Sequence, residues 1–227
     1  MTVEPTNPVL DAILTTRAMR RFTDAPVDQA AIETCLQAAQ QAPSGGNVQP
    51  QQYVVVTDPE LRAKVGDLYR LAYDRYEQSL PEPGDMPDEK AAASWRRNRD
   101  ASRHLADHLG EVPVLVLFLQ PIVPWGGEDA EGPLDIGRLD ASVYPAVQNF
   151  CVAARSLGLG TALTTVIRIR TDEVLALLGV PTRGDGRRRF EIAALVPVGH
   201  PVGSFGVAPR KPAAAVTHWN GWGNRTN

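Results

Sequence analysis

Residues 112–119, VPVLVLFL, contain no polar side chain, and no other stretch constrains the fold of this chain as tightly. A strand with one wet face alternates apolar and polar residues, whereas an unbroken apolar run of strand length belongs to a central strand covered on both sides. Three further strands are expected. Residues 53–56 are apolar and β-branched after a Gly/Pro-rich loop, 162–167 follow a Gly-Leu-Gly turn, and 191–198 precede an extended tail.

The helices carry clear start signals. Asn7-Pro8 has the form of an N-cap and first-turn proline, with Val9, Leu10, Ile13 and Leu14 at helical spacing behind it. Asp28 heads a second helix with Ile32, Cys35, Leu36 and Ala39 on one face. Asp58-Pro59 heads a third, whose expected buried side is Leu61, Val65, Leu68 and Leu71. Residues 80–88, rich in Pro, Glu and Asp, interrupt it before helical pattern resumes over 89–109. Residues 121–138 read as a Gly/Pro-rich loop. Small and apolar side chains over 139–157 make a deeply buried helix closed by Gly158, and Thr171-Asp172 is expected to cap a short helix running to 178. Nothing in the middle has the composition of a linker. The expectation is one domain over residues 1–227, with 78–110 as a helical insert and 199–227 as an extended C-terminal tail.

Composition excludes several classes of function. A formal charge of −3 argues against a nucleic-acid surface as the main business of the chain. Cys35 and Cys151, both in apolar helical surroundings, can build neither a disulfide framework nor a four-thiolate metal site, and are expected as reduced core thiols. The first residues lack the basic start and apolar core of a signal peptide, and no stretch approaches the ~20 apolar residues of a membrane span, so a soluble, cytoplasmic protein is expected.

Two segments stand out as candidate binding elements. In the loop over 42–51, two glycines permit positive φ and close approach of another group, Pro43 and Pro50 stiffen the ends, and Asn47 and Gln49 offer uncharged hydrogen-bonding groups. It suits a polar, planar ligand, or it is only a connection. Arg17, Arg20 and Arg21 either complement the C-terminus of the first helix or form an anion site. There is no Gly-x-x-x-x-Gly-Lys loop and no Gly-x-Ser-x-Gly elbow, and Gly158-Leu-Gly160 follows a helix rather than a strand. His104 and His108 stand four apart on a helix without a third ligand, so no metal site is expected. Neutral donors and arginines with no obvious nucleophile suit a protein whose cofactor carries the chemistry.

Arg17-x-x-Arg20-x-Phe22, followed by Ala-Pro-Ser-Gly-Gly-Asn-x-Gln-Pro at 42–50, closely resembles the FMN-dependent nitroreductase family. The likeness continues through Pro-Val-Leu-Val at 113–116, Gln148-Asn149, Gly-Leu-Gly-Thr at 158–161, Gly-His-Pro at 199–201 and Arg-Lys-Pro at 210–212, in family order over nearly the whole chain. The resemblance implies an α+β fold, an α/β/α sandwich whose mostly antiparallel central sheet is wrapped by helices. It also implies an interlocked homodimer with FMN at the subunit interface. Arg17 would then meet the flavin phosphate, and Arg20 would sit near the pyrimidine edge, where a cation stabilises the charge that reduced flavin develops at N1. Ala18 and Met19 complete that segment. Pro43, Ser44, Asn47 and Gln49 would reach the flavin from the partner subunit. Leu163, Thr164 and Thr165 match the stretch beside flavin N5, to which a backbone N–H would donate, and Arg210 with Lys211 would complete the phosphate clamp.

The activity implied is ping-pong transfer of a hydride from NADPH or NADH, via flavin N5, to a nitroaromatic, quinone or similar acceptor. No side chain is assigned a catalytic role. Trp95 with Arg96, Arg97, Arg99 and Arg103 is a candidate lid, or a solvated helical face. Reductive dehalogenation or oxidative flavin cleavage on the same scaffold is an alternative, as is a protein that stores or senses FMN without turnover. The chain departs from the family pattern at Thr16 and Ala18, where Arg and Ser are common, at Gln51 in place of a tryptophan, and at Thr165 where many members carry an acid.

Overall fold

The computed structural model describes residues 7–123, 126–134 and 137–225. In chain order its elements are α1 (Pro8–Thr15), α2 (Gln29–Gln40), β1 (Gln52–Val56), α3 (Pro59–Glu77), α4 (Glu89–His108), β2 (Val114–Pro121), β3 (Gly127–Asp129), β4 (Gly132–Leu134), α5 (Asp140–Ser156), β5 (Gly160–Thr161), α6 (Thr171–Leu177) and β6 (Phe190–Gly199). Side-chain oxygens of Asn7, Asp28 and Asp58 accept from the first-turn amides Val9, Ala30 and Leu61, so the expected caps start their helices. Gly158 closes α5 with φ +77°.

The main sheet has the order β1-β2-β6-β5, and every neighbouring pair is antiparallel. The apolar run lies at its centre. Val114, Val116 and Phe118 point into a core shared with α2 and α5, while Leu115, Leu117 and Leu119 point into a second core under α3, α4 and α6. Strand geometry sends alternate side chains to opposite faces, so two apolar layers follow from one run. The fold is therefore α+β, with helices on both faces of an antiparallel sheet. Between Phe118 and Leu119 the register of β2 on β6 shifts, Phe118 pairing with Ala194 and Leu119 with Ile192. Ala193 is the extra residue of that bulge, and the Tyr144 hydroxyl donates to its carbonyl at 3.0 Å. Cys35 and Cys151 are free and buried in the α2–α5 core, where burial pushes the Cys35 thiol up to about 11.

Four local expectations are corrected. The strand over 162–167 shrinks to β5 and one bridge, Thr164 to Leu195, before the chain turns into a 3-10 helix over Val166–Arg170. Its β-branched composition is overridden because Ile167 packs into the core beneath the sheet. On α3 the buried ridge is Val65, Tyr69, Ala72 and Tyr73, and Leu71 is 49% exposed, because burial follows the i, i+4, i+7 line from Val65. Thr171 does not cap α6; its hydroxyl donates to the Arg168 carbonyl, and Arg170 occupies the N-cap. The loop over 121–138 contains, where described, the two-stranded hairpin β3–β4.

The second face is closed by a contact only glycine allows. A Cβ on Gly66 of α3 would lie 2.7 Å from the Gly110 nitrogen and 2.9 Å from its Cα. Arg62 fastens the same crossing, donating to the carbonyls of Val112 at 2.7 Å, Gly110 at 3.3 Å and Thr57 at 3.1 Å. Farther along, Arg103 of α4 bonds both Glu77 and Asp74 of α3 and lies 4.6 Å from the centroid of the Tyr73 ring, while Arg99 bonds Glu77 at 3.2 Å. α3 and α4 thus form a helical hairpin, with Arg99 and Arg103 turned toward α3.

Two measurements test this packing. Gly66→Ala should cost about 1–3 kcal/mol by overpacking, read as a shift in the urea midpoint, because the atoms it meets are backbone and cannot rotate away. Burial raises the Glu77 pKa, but the hydrogen bonds from Arg103 and Arg99 outweigh it and hold the carboxyl below its ordinary value. A carboxyl depressed on folding stabilises above its unfolded pKa, about 4.3, and loses that contribution as pH falls through the lower folded value. Melting temperature should drop over that acid window, and Glu77→Gln should flatten the drop.

Candidate functional site

The first candidate segment leaves its helix before the arginines begin. α1 ends at Thr15, and Thr16 is already extended at φ −65°, ψ 117°. Arg17, Arg20 and Arg21 therefore do not complement a helix C-terminus, and the helix-dipole reading is corrected. The segment lies instead along the outer edge of the sheet: Ala18 bridges Thr161 in parallel, Met19 N–H donates to the Thr161 carbonyl at 2.8 Å, and Phe22 bridges Pro201. Gly160 permits this approach, since a Cβ there would meet Met19 Cβ and Pro201 Cβ at 3.0 Å each. Arg155 of α5 steadies the other end by donating to Thr15 Oγ1 at 2.8 Å and Asp11 Oδ2 at 3.3 Å.

This edge lays Arg17 to Arg20 along Gly160 and Thr161, the strand that leads into Leu163 to Thr165. Among the described residues, Arg17 and Arg20 pair with no carboxylate. Thr164 is committed to the scaffold: its N–H donates to the Leu195 carbonyl at 2.9 Å, its carbonyl accepts from Leu195 N–H, and its hydroxyl meets the Tyr69 hydroxyl at 3.0 Å. The backbone donors left in that stretch are Leu163 and Thr165, neither of whose N–H groups has a partner among the described residues and both of whose side chains are exposed.

The glycine-rich loop forms a second group, elsewhere on the chain. Gly45 to Asn47 make one 3-10 turn, with Gly46 and Asn47 both at φ +57° and Gln49 at φ +48°. Gln49 N–H donates to Ser44 Oγ at 3.0 Å, and Gly45 N–H donates across the fold to Ser142 Oγ of α5 at 3.2 Å. Two non-glycine residues in the left-handed region cost of order 1–3 kcal/mol each, which persists only where neighbouring bonds hold them. Pro43, Asn47 and Gln49 are exposed, and Ser44 is half-buried. Arg210 and Lys211 are exposed on the tail, and among the described residues the only bond from Arg210 is to the Pro209 carbonyl at 3.1 Å. The arginine edge meets the start of the tail, where Val202 N–H donates to the Arg21 carbonyl at 2.9 Å, but among the described residues no hydrogen bond or ion pair joins the glycine-rich loop to Arg17, Arg20, Arg210 or Lys211 within one chain.

The His104 and His108 rings lie against each other, with centroids 4.3 Å apart and planes tilted by 35°. His104 Nδ1 accepts from Arg21 Nη1 at 3.0 Å, and His108 Nδ1 meets the Glu111 carboxylate at 3.1 Å. Burial, together with Arg21 and His108, lowers the His104 pKa and keeps the ring a neutral acceptor. Both rings line a cavity of about 320 Å³ beside Arg20 and Phe22. Two residues that hold the site, Tyr69 and Ser142, carry no sequence signal, because their partners Thr164 and Gly45 lie 95 and 97 positions away in the chain.

A family model described as the nitroreductase family matches residues 13–200. The chain is 30% identical over 224 residues to the FMN reductase (NADPH) of Bacillus subtilis (strain 168), covering 97% of this chain and 77% of that protein. It is 27% identical over 224 residues to the FMN reductase (NAD(P)H) of the same organism, covering 93% and 73% respectively. In shape it is similar to an oxidized iodotyrosine deiodinase bound to FMN and 3-iodo-L-tyrosine, with a TM-score of 0.71 and 20% identity over 94% of this chain and 100% of that one.

The scaffold under Thr164 can be tested directly. Tyr69→Phe keeps the ring in its core but removes the partner of the Thr164 hydroxyl, and should lower unfolding free energy by about 1 kcal/mol in urea titration.

Proposed function

The chain belongs to the nitroreductase family, and on that premise we propose that it is an FMN-dependent oxidoreductase fed by NAD(P)H. The observation that carries the reading is the sheet edge where Ala18 bridges Thr161: Arg17 and Arg20 on it have no carboxylate partner among the described residues, and the Thr165 N–H, four residues past Thr161, likewise has no partner among them. Cations left unpaired by their own chain fit a phosphate and an electron-rich ring, and a backbone donor beside them fits a ring nitrogen. Bound FMN would supply the redox chemistry, taking a hydride from NAD(P)H and delivering it to a nitroaromatic, quinone or similar acceptor in alternate half-reactions.

The chain's own residues bind and tune. Arg17, with Arg210 and Lys211, holds the phosphate, and Arg20 stabilises negative charge at the pyrimidine edge. Ala18, Met19 and Leu163 form the backbone rim between them. Pro43, Ser44, Asn47 and Gln49 serve the flavin of the partner subunit, which accounts for their separation from the arginine edge within one chain. α1 supports a homodimer, since Val9, Leu10, Ile13 and Leu14 are all exposed along it. No side chain acts as acid or base. Trp95, whose indole N–H donates to the Pro81 carbonyl at 3.0 Å, fixes the turn of the α3–α4 hairpin, which covers the acceptor. A cytoplasmic setting, where both nucleotides are supplied, suits this activity.

Anaerobic addition of NADPH or NADH to the FMN-loaded protein should bleach the flavin band at about 450 nm, and a nitroaromatic should restore it. A band that resists both nucleotides would replace the reductase with a storage or sensing protein. Arg17→Ala and Arg20→Ala should each weaken FMN binding by about 1.5–3 kcal/mol. Only Arg20→Ala should also lower the midpoint potential of the bound flavin.

A further inference from the structure

The glycine-rich loop ends a chain of side-chain amides whose donor and acceptor sense is held jointly by a backbone carbonyl of the loop and by Gln40, Gln51 and Tyr53 outside it. Gln49 Nε2 lies 3.4 Å from the Asn47 carbonyl oxygen and 3.0 Å from Asn47 Oδ1. A backbone carbonyl only accepts, so the Gln49 NH2 group must face Asn47 and its Oε1 must face away. That oxygen accepts from Gln40 Nε2 at 3.2 Å. Gln40 Oε1 in turn accepts from Gln51 Nε2 at 3.1 Å and from the Tyr53 hydroxyl at 3.0 Å. With the first link fixed by the backbone, each later link admits one orientation. At the open end Asn47 Oδ1 is occupied, and Nδ2 has no partner among the described residues, so the exposed amide offers its N–H donors outward.

The other end of the chain is held rigidly. Gln51 is 3% exposed, and the Tyr53 ring stands edge-on to Phe118 with centroids 5.2 Å apart. Burial pushes the Tyr53 phenol up, so its hydroxyl stays a donor. Gln51 Oε1 is buried without a partner. Turning that amide over would set its oxygen against Gln40 Oε1, acceptor against acceptor, so the unpaired oxygen is the lesser cost.

We propose that Gln40, Gln51 and Tyr53 are positioning residues that fix Asn47 as a hydrogen-bond donor toward an acceptor atom of the flavin, and not as an acceptor for its ring N–H. The inference rests on the flavin reading above. A donor held there strengthens its bond as reduced flavin gains negative charge, so the relay raises both FMN affinity and midpoint potential.

Gln40→Glu reverses the sense. At mildly alkaline pH a carboxylate cannot donate to Gln49, and its charge-assisted bond to the Gln49 NH2 outweighs the long 3.4 Å contact of that NH2 with the Asn47 carbonyl, so Gln49 turns, Asn47 turns to donate to Gln49 Oε1, and Asn47 Oδ1 faces outward. Gln40→Met breaks the relay without reversing it, and Tyr53→Phe removes one of the two donors that fix Gln40. The dissociation constant of FMN, from flavin fluorescence quenching, and the midpoint potential are measured for each in the full chain, with Asn47 present and in an Asn47→Ala background. Gln40→Glu should weaken FMN binding about tenfold and lower the potential, Gln40→Met and Tyr53→Phe should do less, and all three effects should vanish beside Asn47→Ala. A loss of equal size in both backgrounds would mean that charge or folding, and not Asn47, transmits the change, and would overturn the proposal. So would no loss in any variant. If the unsubstituted protein binds no FMN, the flavin reading fails first, and that outcome is visible before any variant is made.

Discussion

β2 and β6 pair along their whole length with helices over both faces, and every part of the site hangs from that pair. β6 carries β5 at its far edge, β5 carries the extended segment bearing Arg17 and Arg20, and Leu195 of β6 holds both backbone groups of Thr164. On the other side, β1 pairs with β2 and begins directly after the glycine-rich loop. A rigid central pair lets two binding segments keep fixed positions while neither belongs to a regular element of any length. The bulge at Ala193 does not loosen it, because Tyr144 satisfies the carbonyl that the ladder leaves open.

Charge is distributed to suit an anionic, aromatic ligand. The chain as a whole is at −3, and most arginines on its helical surfaces are matched to carboxylates, as Arg99 and Arg103 are to Glu77 and Asp74. Along the sheet edge the matching stops. Among the described residues Arg17 and Arg20 lack carboxylate partners, and Arg21 is directed to a neutral histidine. The loop at 43–49 carries no charge at all, so any ligand there is read by hydrogen-bond sense. Amides can present either sense, which is why the relay from Gln51 through Gln40 matters more than the identity of Asn47 alone.

Much of this was legible from local pattern. The apolar run at 112–119 announced a two-sided strand, the Asn and Asp caps marked their helices, and the order of short motifs pointed to the family that the comparisons bear out. Errors fell where packing overrides composition. Thr-Thr-Val-Ile at 164–167 reads as strand but leaves the sheet to bury Ile167, and Leu71 lies off the ridge that Tyr69, Ala72 and Tyr73 define. Arg17, Arg20 and Arg21 stand out by residue type, but their placement on a sheet edge depends on a parallel bridge from Ala18 to a residue some 140 positions away.

By itself, then, the sequence determined where helices start, which strand is central, and which residue types are available to hold a cofactor, because caps, periodicity and short motifs act over a few residues. Only the tertiary structure decided which backbone donors are free and which are used, that Gly66 and Gly110 must touch, and that a glutamine at the end of α2 sets the face Asn47 presents. Those outcomes depend on distances between segments and on the single orientation that satisfies a closed set of hydrogen bonds, and neither quantity exists until the chain has packed.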